Sequence, residues 1–327
     1  MSSPPPFLSL IQGINDYVPD SAYYYSLYLP LSSVPHGVLL PNIISLVPWT
    51  PSFHISHTAP RTITLTAPPN TPADKTPEYI TSTLAEVVNK CIESGKFDLF
   101  CGKHSELVTI PTYTHGKVTI ERFATALFGI QTQGVYAIAF TSTHAGNKCT
   151  RDPSSAAAEL TPPNEPAKKP TLFIPRRSAY LYTYPNFLDA TIGGGMQSTS
   201  TPFSCLLAEG EEEASLPAHL LQQHAKEIGT LRFTNLTGRG FSGEQGLVCP
   251  CELFLYELDL TGTGYVPREN DEEVEVFHEM GVEEVKERLG RGEFAPAAAL
   301  VVLHWLVRGQ FVELEGEVRK IWEGVVG

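Results

Sequence analysis

The sequence predicts a two-part protein of the α/β class, in which a small α+β unit precedes a layered α/β unit. Three observations point that way. From about residue 134 onward, strand-like and helix-like segments alternate, which is the pattern of an α/β layer fold. Before that, prolines are dense enough to break helices into short pieces. The length of 327 residues also exceeds one ordinary core. The first unit is assigned to residues 1–130 and the second to 131–327, with the boundary falling before Gly134.

In the first unit, YYYSLYLP (23–30), HGVLLP (36–41) and LVPWTPSF (46–53) read as extended pieces and turns. Residues 81–95 behave differently. Leu84, Val87, Val88, Cys91 and Ile92 recur at i, i+3, i+4, i+7 and i+8, the apolar stripe of an amphipathic helix. A second short helix is expected over IERFATALFGI (120–130). In the second unit, GVYAIAF (134–140) and TLFIPRRS (171–178) read as strands. The Pro, Ser, Ala and charged residues of 143–170 suit a long loop within a hairpin. Thr201 can cap a helix whose first position suits Pro202, and Pro217 closes that run. Strands follow at 230–236, 247–260 and 272–280, then helices at 282–292 and 296–308.

Composition excludes several classes of function. A formal charge of −13 opposes sequence-independent binding to nucleic acid, which needs a basic surface. The stretch AALVVLHWLV (298–307) is too short to span a bilayer and suits a buried helix, so no membrane partner is expected. MSSPPPFLSL lacks a basic segment followed by an apolar run, so a secretory signal is not expected. Six cysteines are scattered without paired zinc spacing, and Cys249 and Cys251 alternate along a strand-like run. Reduced thiols in a cytoplasmic compartment are the simplest reading. Oligomeric state is left open.

The chemistry concentrates in GGGMQSTSTPFSCLLAEGEEEASLP (193–217). On a helix starting at Pro202, Glu209, Glu212 and Glu213 share one face, while Glu211 points elsewhere. Read alone, such a run is a solvated acidic face. Its context of glycines, a fixed interval and a capped helix suggests a divalent cation instead. Mg²⁺ takes carboxylate oxygens and commonly binds phosphates at the same time.

This stretch resembles the Nudix hydrolase signature: Gly, five residues, Glu, seven residues, Arg-Glu, an apolar residue, any residue, Glu-Glu, any residue, Gly, an apolar residue. With Gly194 as the first glycine, Glu209, Glu212 and Glu213 fall on the three metal-face glutamates and Leu216 on the last apolar position. PHGVLLP, VPWTP, IPRRSAYLYTYP and GEFAPAAALVVL resemble, more narrowly, the fungal and plant branch related to thiamine pyrophosphokinase. These pieces run from about residue 7 to residue 309. Four positions depart from the signature: Ser200 for its early Glu, Ala208 for Arg, Gly210 for the apolar residue, and Ser215 for the late Gly. In a helix interior, Gly210 is expected to cost roughly 1 kcal/mol relative to Ala.

The resemblance implies an α/β/α sandwich with a mixed sheet, and metal-dependent hydrolysis of a diphosphate to a monophosphate and phosphate. Within that branch, the substrate class it implies is thiamine diphosphate and its oxidised analogues. Glu209, Glu212 and Glu213 would hold Mg²⁺ or Mn²⁺, with the Gly194 carbonyl as a further candidate ligand and Glu209 as a candidate general base. Glu273 and Glu275 share a face if the alternation of EEVEVF holds, and Glu273 is preferred as a further catalytic carboxylate. Arg176 and Arg177 point to opposite faces of a strand, so at most one reaches a substrate phosphate. Tyr182, Tyr184 and Phe187 are either stacking residues or core. His36 and Trp49 are tied to substrate recognition by resemblance alone, whereas His224, His278 and His304 show no ligand spacing. The alternatives are a pyrophosphatase acting on a prenyl diphosphate or nucleotide derivative, and a binding module that keeps the fold without turnover.

Overall fold

The structure is a computed structural model that describes residues 7–15, 20–100, 106–143, 169–238, 240–241 and 243–327. The first helix, α1 (Leu8–Asn15), precedes a four-stranded sheet of β1 (Tyr25–Tyr28), β2 (Pro35–Leu39), β3 (Phe53–Ser56) and β4 (Thr62–Leu65). Its strand order is β2-β1-β4-β3, with β1 and β4 parallel and the other pairs antiparallel. Between β2 and β3 lies α2 (Pro41–Leu46), and after β4 comes α3 (Thr76–Ser94). A two-stranded ribbon, β5 (Leu107–Thr109) with β6 (Thr119–Glu121), leads into α4 (Ala124–Phe128).

The helix at 81–95 is present as α3, one turn longer at its start. Its buried stripe runs through Ile80, Leu84, Val87, Val88 and Cys91, whereas Ile92 is 45 % exposed. Gly95 ends it in the left-handed region at φ 59°. The helix expected over 120–130 shrinks to α4, because Thr119–Glu121 pair with Leu107–Thr109 as strands. Trp49 belongs to this unit's core. Its ring meets Phe53 and Phe128, and its Nε1–H donates to the Ile44 carbonyl at 3.0 Å.

The second unit is built on a six-stranded mixed sheet. Its strands are β7 (Thr132–Thr143), β8 (Lys169–Arg177), β9 (Ile192–Gly195), β10 (Ala225–Leu236), β11 (Val248–Asp259) and β12 (Val274–Gly281). The order is β10-β11-β7-β8-β12; β11 and β7 are parallel, and the other neighbours are antiparallel. The expected hairpin is there, pairing Phe140 with Leu172 and Thr143 with Lys169. Residues 144–168 of its expected loop lie outside the described residues. One departure from a simple sheet shapes the site. Along its N-terminal half β7 pairs with β9, and along its C-terminal half with β8. The sheet therefore forks.

Helices cover both faces. On one lie α5 (Pro202–Ala214) and α6 (Ala218–His224), with Cys205, Leu206, Leu220 and Leu221 against Val135, Ala137 and Ala139 of β7. On the other lie α7 (Val282–Gly290), α8 (Pro296–Arg308) and α9 (Gly316–Glu323). Apolar all round, α8 is buried from Ala298 to Leu306, as its sequence predicts. Ile11 and Ile14 of α1 join this second core, so the chain's first helix packs away from the α+β unit that follows it. Within the described residues no helix is long and apolar enough to cross a membrane.

Contacts across the two units are specific. Leu247, in the β10–β11 connection, is buried in the first unit's core. Nearby, the Glu244 carboxylate accepts the backbone N–H groups of Asp98 (2.8 Å) and Leu99 (3.2 Å), and the Tyr182 hydroxyl donates to the Asp98 carbonyl at 2.9 Å.

The start of α5 is fixed by a reciprocal cap. Thr201 Oγ1 accepts from the Ser204 N–H at 3.2 Å, and Ser204 Oγ accepts from the Thr201 N–H at 2.8 Å. Thr201→Ala is expected to lower the unfolding free energy by about 1 kcal/mol in a urea titration. An unchanged midpoint would show that tertiary contacts alone hold this helix.

Candidate functional site

The fork between β8 and β9 leaves one edge of β9 unpaired, and α5 lies against it. Pairing with β7 fixes the alternation of β9: Gly193 sits opposite Tyr136, Gly194 opposite Val135 and Gly195 opposite Gly134. The N–H of Gly193 donates to Glu213 Oε2 at 2.9 Å, and the Gly195 carbonyl accepts from Cys205 Sγ at 3.7 Å. Both residues thus turn their peptide groups toward α5. Alternation then turns those of Gly194 toward β7. This corrects the expected ligand: the carbonyls facing the glutamates are those of Gly193 and Gly195, not that of Gly194. What Gly194 provides is room. A β-carbon there would coincide with the Glu209 carboxyl group.

Glu209 and Glu213, one helical turn apart, are half-buried, while Glu212 is exposed. Burial, followed by the charge of Glu212, pushes the Glu209 carboxyl up to about 7; Arg122 opposes the shift, and Glu273 and Glu106 add to it. Burial and then the charge of Glu209 hold Glu213 well above the usual carboxylate range, against the Gly193 N–H. Glu273 precedes β12 and is held by its backbone: its N–H donates to Asp271 Oδ1, and its carbonyl accepts the Ser178 N–H, both at 2.9 Å. Its charge reaches both Glu209 and Glu213. Glu275 does not share its face as alternation implied, because the strand register shifts between Val274 and Val276. Instead, Glu275 acts on His278.

A hard cation fits this donor set by chemistry, since buried carboxylates that raise one another's pKa are relieved by positive charge between them. As they stand, the carboxylates are spread. Among the described residues, no three His, Cys, Asp or Glu side chains are grouped so as to hold a metal ion. Glu212 and Glu273 are exposed.

The two arginines differ from expectation. Arg177 is half-buried, and its guanidinium is already used: Nη1 donates to Asp189 Oδ2 at 2.8 Å, and Nε and Nη2 both donate to the Thr183 carbonyl. Arg176 projects oppositely and donates to the Asn186 carbonyl at 2.8 Å. Neither is left as a ready phosphate fork. The cation facing the acids is Arg122, from the first unit, which sequence reasoning missed because no motif marks it. Tyr184 and Phe187 pair edge-on at 5.8 Å against the second core, whereas Tyr182 lies between Phe123 of the first unit and Phe241.

The departures from the signature have local causes. A β-carbon on Gly210 would fall 2.7 Å from Leu221 Cδ1, so α6, which the sequence did not announce, fills the apolar position instead. Ser215 takes the left-handed region at φ 53° as the C-cap of α5, the conformation for which glycine is ordinarily used. Pro217 does not close α5 directly; it caps α6. Ala208 is exposed and Ser200 sits in the turn before the cap. His36 is buried between Ser32 Oγ (2.7 Å) and Thr112 Oγ1 (2.9 Å), and His304 contacts the Ile228 carbonyl at 3.2 Å.

Because the folded-state Glu209 and Glu213 values lie above the ordinary carboxylate one, the fold binds these protons more tightly than the unfolded chain. Their stabilising contribution is present at low pH; that of Glu209 is lost as pH rises through about 7, and that of Glu213 as pH rises through its own raised value. In the absence of divalent cations, the wild type is expected to lose melting temperature between about pH 5 and about pH 7.5 more steeply than Glu209→Gln, and Mg²⁺ should reverse that loss. Parallel pH profiles for the two proteins would refute the electrostatic description.

No family model matches the chain. It is 26 % identical to Nudix hydrolase 20, chloroplastic, of Arabidopsis thaliana over 73 % of this chain and 55 % of that one. It is 28 % identical to the uncharacterized protein YJR142W of Saccharomyces cerevisiae over 61 % of this chain and 53 % of that one. Nudix hydrolase 24, chloroplastic, of A. thaliana is 28 % identical over 44 % of this chain and 37 % of its own length. The chain thus spans about half the length of the first two relatives. Among solved structures, DR0079 from Deinococcus radiodurans overlays 62 % of this chain and 98 % of its own, at 20 % identity and a TM-score of 0.38. By sequence, this chain is similar to two plant proteins named as Nudix hydrolases.

Proposed function

We propose that this protein is a metal-dependent pyrophosphohydrolase that cuts a diphosphate to a monophosphate and phosphate. The observation that carries the reading is that Glu209 feels the charges of Glu212 and Glu273, and Glu213 those of Glu209 and Glu273, where α5 meets the open edge of β9. Mutual repulsion there holds the carboxylate pKa values up, and a bound cation would relieve it. Glu209, Glu212 and Glu213 would hold Mg²⁺ or Mn²⁺, and the Gly193 carbonyl faces the same side. When bound, the ion polarises a phosphoryl oxygen and lowers the pKa of water.

The chain's own residues account for the rest of the step. Water attacks the terminal phosphorus; the new P–O bond forms as the bridging P–O bond breaks, and the monophosphate leaves. Glu273 is the favoured acceptor for the water's proton, because it is exposed and lies outside the buried pair. Glu209, at about 7, is also tuned for proton exchange near neutral pH. We assign it chiefly to holding the cation, since a coordinated carboxylate is a poor base.

Thiamine diphosphate or its oxidised analogues are the proposed substrates, on the resemblance to the branch related to thiamine pyrophosphokinase. That narrower resemblance rests on pieces of both units, PHGVLLP and VPWTP in the first and IPRRSAYLYTYP and GEFAPAAALVVL in the second. Free thiols at Cys91, Cys205, Cys249 and Cys251 are compatible with a reducing cytoplasmic setting.

Phosphate release in Mg²⁺ from a panel of thiamine, nucleotide and prenyl diphosphates tests the reading. Glu212→Gln and Glu213→Gln are expected to lower turnover by at least roughly 100-fold while melting within a few degrees of the wild type. Unchanged rates in both variants would remove the metal face. A ligand that stabilises the wild type yet is never cleaved would point to a binding module instead.

A further inference from the structure

Arg122 has no place in the sequence motif, yet it stands at the acidic cleft. It lies at the end of β6, in the first unit, and its backbone is held on every side. Its N–H donates to the Glu106 carbonyl at 2.8 Å, and its carbonyl accepts from Thr125 Oγ1 at 2.6 Å. The neighbouring Glu121 carboxylate accepts the Ala124 N–H at 3.0 Å. From this rigid turn the side chain reaches across to β9. A β-carbon at Gly195 would sit 3.0 Å from Arg122 Cζ and 3.1 Å from Nη2, so the guanidinium lies directly over a glycine of the strand that Glu209 and Glu213 border.

Its side-chain partner, Glu106, is weakly held. Arg122 Nη1 contacts Glu106 Oε2 at 2.9 Å, with the two side chains 47 % and 31 % exposed. An ion pair this exposed contributes little and exchanges readily. Glu106 Oε1 also lies 3.5 Å from Gln197 Nε2, in the loop between β9 and α5. That loop is tied to the first unit by the Ser198 N–H, which donates to the Leu107 carbonyl at 2.7 Å. The turn bearing Arg122 and the loop leading into the glutamate helix are therefore joined.

We infer that Arg122 is the substrate-binding guanidinium of this site: it exchanges Glu106 for a phosphate of the diphosphate and so completes, from the first unit, a cleft whose acids come from the second. The inference rests on the function proposed above. A polyanion entering four carboxylates needs positive charge beyond a bound cation, and a planar guanidinium can take two phosphate oxygens at once. Arg177 cannot serve without breaking its buried pair with Asp189, and Arg176 is turned to the other face of β8. Among the arginines described beside the cleft, Arg122 combines exposure, a weak resting partner and a seat at the acids.

The role makes Arg122 and Glu106 act with opposite sign, which an interdomain strut would not. Inorganic pyrophosphate is titrated calorimetrically, in Mg²⁺, into the full-length wild type and the variants Arg122→Ala, Arg122→Lys and Glu106→Gln, with melting curves for each. Arg122→Ala is expected to weaken binding by at least roughly ten-fold, Arg122→Lys by less, and Glu106→Gln to leave it equal or tighter. On a cleaved substrate, Arg122→Ala should raise KM far more than it lowers kcat. No binding by the wild type, equal binding by Arg122→Ala, or the same weakening in Arg122→Ala and Glu106→Gln overturns the inference. Failure of the wild type to release phosphate from any diphosphate, with pyrophosphate binding still dependent on Arg122, would sink the hydrolase reading and leave this one standing.

Discussion

One hydrogen bond organises the site: the Gly193 N–H held by Glu213 at 2.9 Å. It exists because β9 pairs with β7 on one edge and with no strand on the other. An unpaired edge leaves peptide groups that must find partners, and here the partner is a carboxylate on a helix. The bond sets the height of α5 on the sheet. Once that height is fixed, Glu209 falls onto the space above Gly194, where no side chain larger than hydrogen fits. The acidic cluster is therefore a consequence of the forked sheet and not merely of an acidic stretch of sequence.

Such a cluster opposes folding, and the surrounding structure has to outweigh it. Once pH exceeds their raised pKa values, two half-buried carboxylates carry charges that water would stabilise better. The opposing stabilisation comes from both faces of the sheet. Cys205, Leu206 and Ala214 bury one side of α5 while its acids face the cleft, and the fully apolar α8 fills the opposite layer. Replacing part of that core would be felt at the glutamates, because β7 carries core residues on both faces and also anchors β9. In this way the electrostatic strain at the edge depends on the apolar layers behind it.

Much of this could be read from the sequence, and the failures have physical causes. The capped helix at Pro202, the stripe of α3, the buried α8 and the hairpin strands were legible because periodicity and capping act locally. Ile92 was misplaced because the stripe continues upstream to Ile80, not downstream. Gly210 looked like a defect until Leu221, from an unforeseen helix, was found against it. The pairing of Glu273 with Glu275 failed at a strand irregularity that alternation cannot anticipate. The arginines were the hardest. Which of two adjacent side chains is available depends on whether Asp189 and Thr183 have already taken it, and those contacts are tertiary.

The placement of positive charge also bears on why the two units are joined so firmly. Beside the cleft, the second unit supplies carboxylates and one arginine locked to Asp189. An anionic ligand meeting that unit alone would find its field largely repulsive. The first unit's turn at 121–125 brings a guanidinium to the same edge, and small errors in its position matter, since a phosphate fork works only within hydrogen-bond reach. Loose tethering would not hold that reach. The β10–β11 connection, through Leu247 in the first core and the Glu244 carboxylate on the Asp98 and Leu99 amides, and the Ser198–Leu107 backbone bond before α5 fix the two units at two separate places. Contacts at two places restrict how one unit can turn against the other, and a shared site requires that restriction.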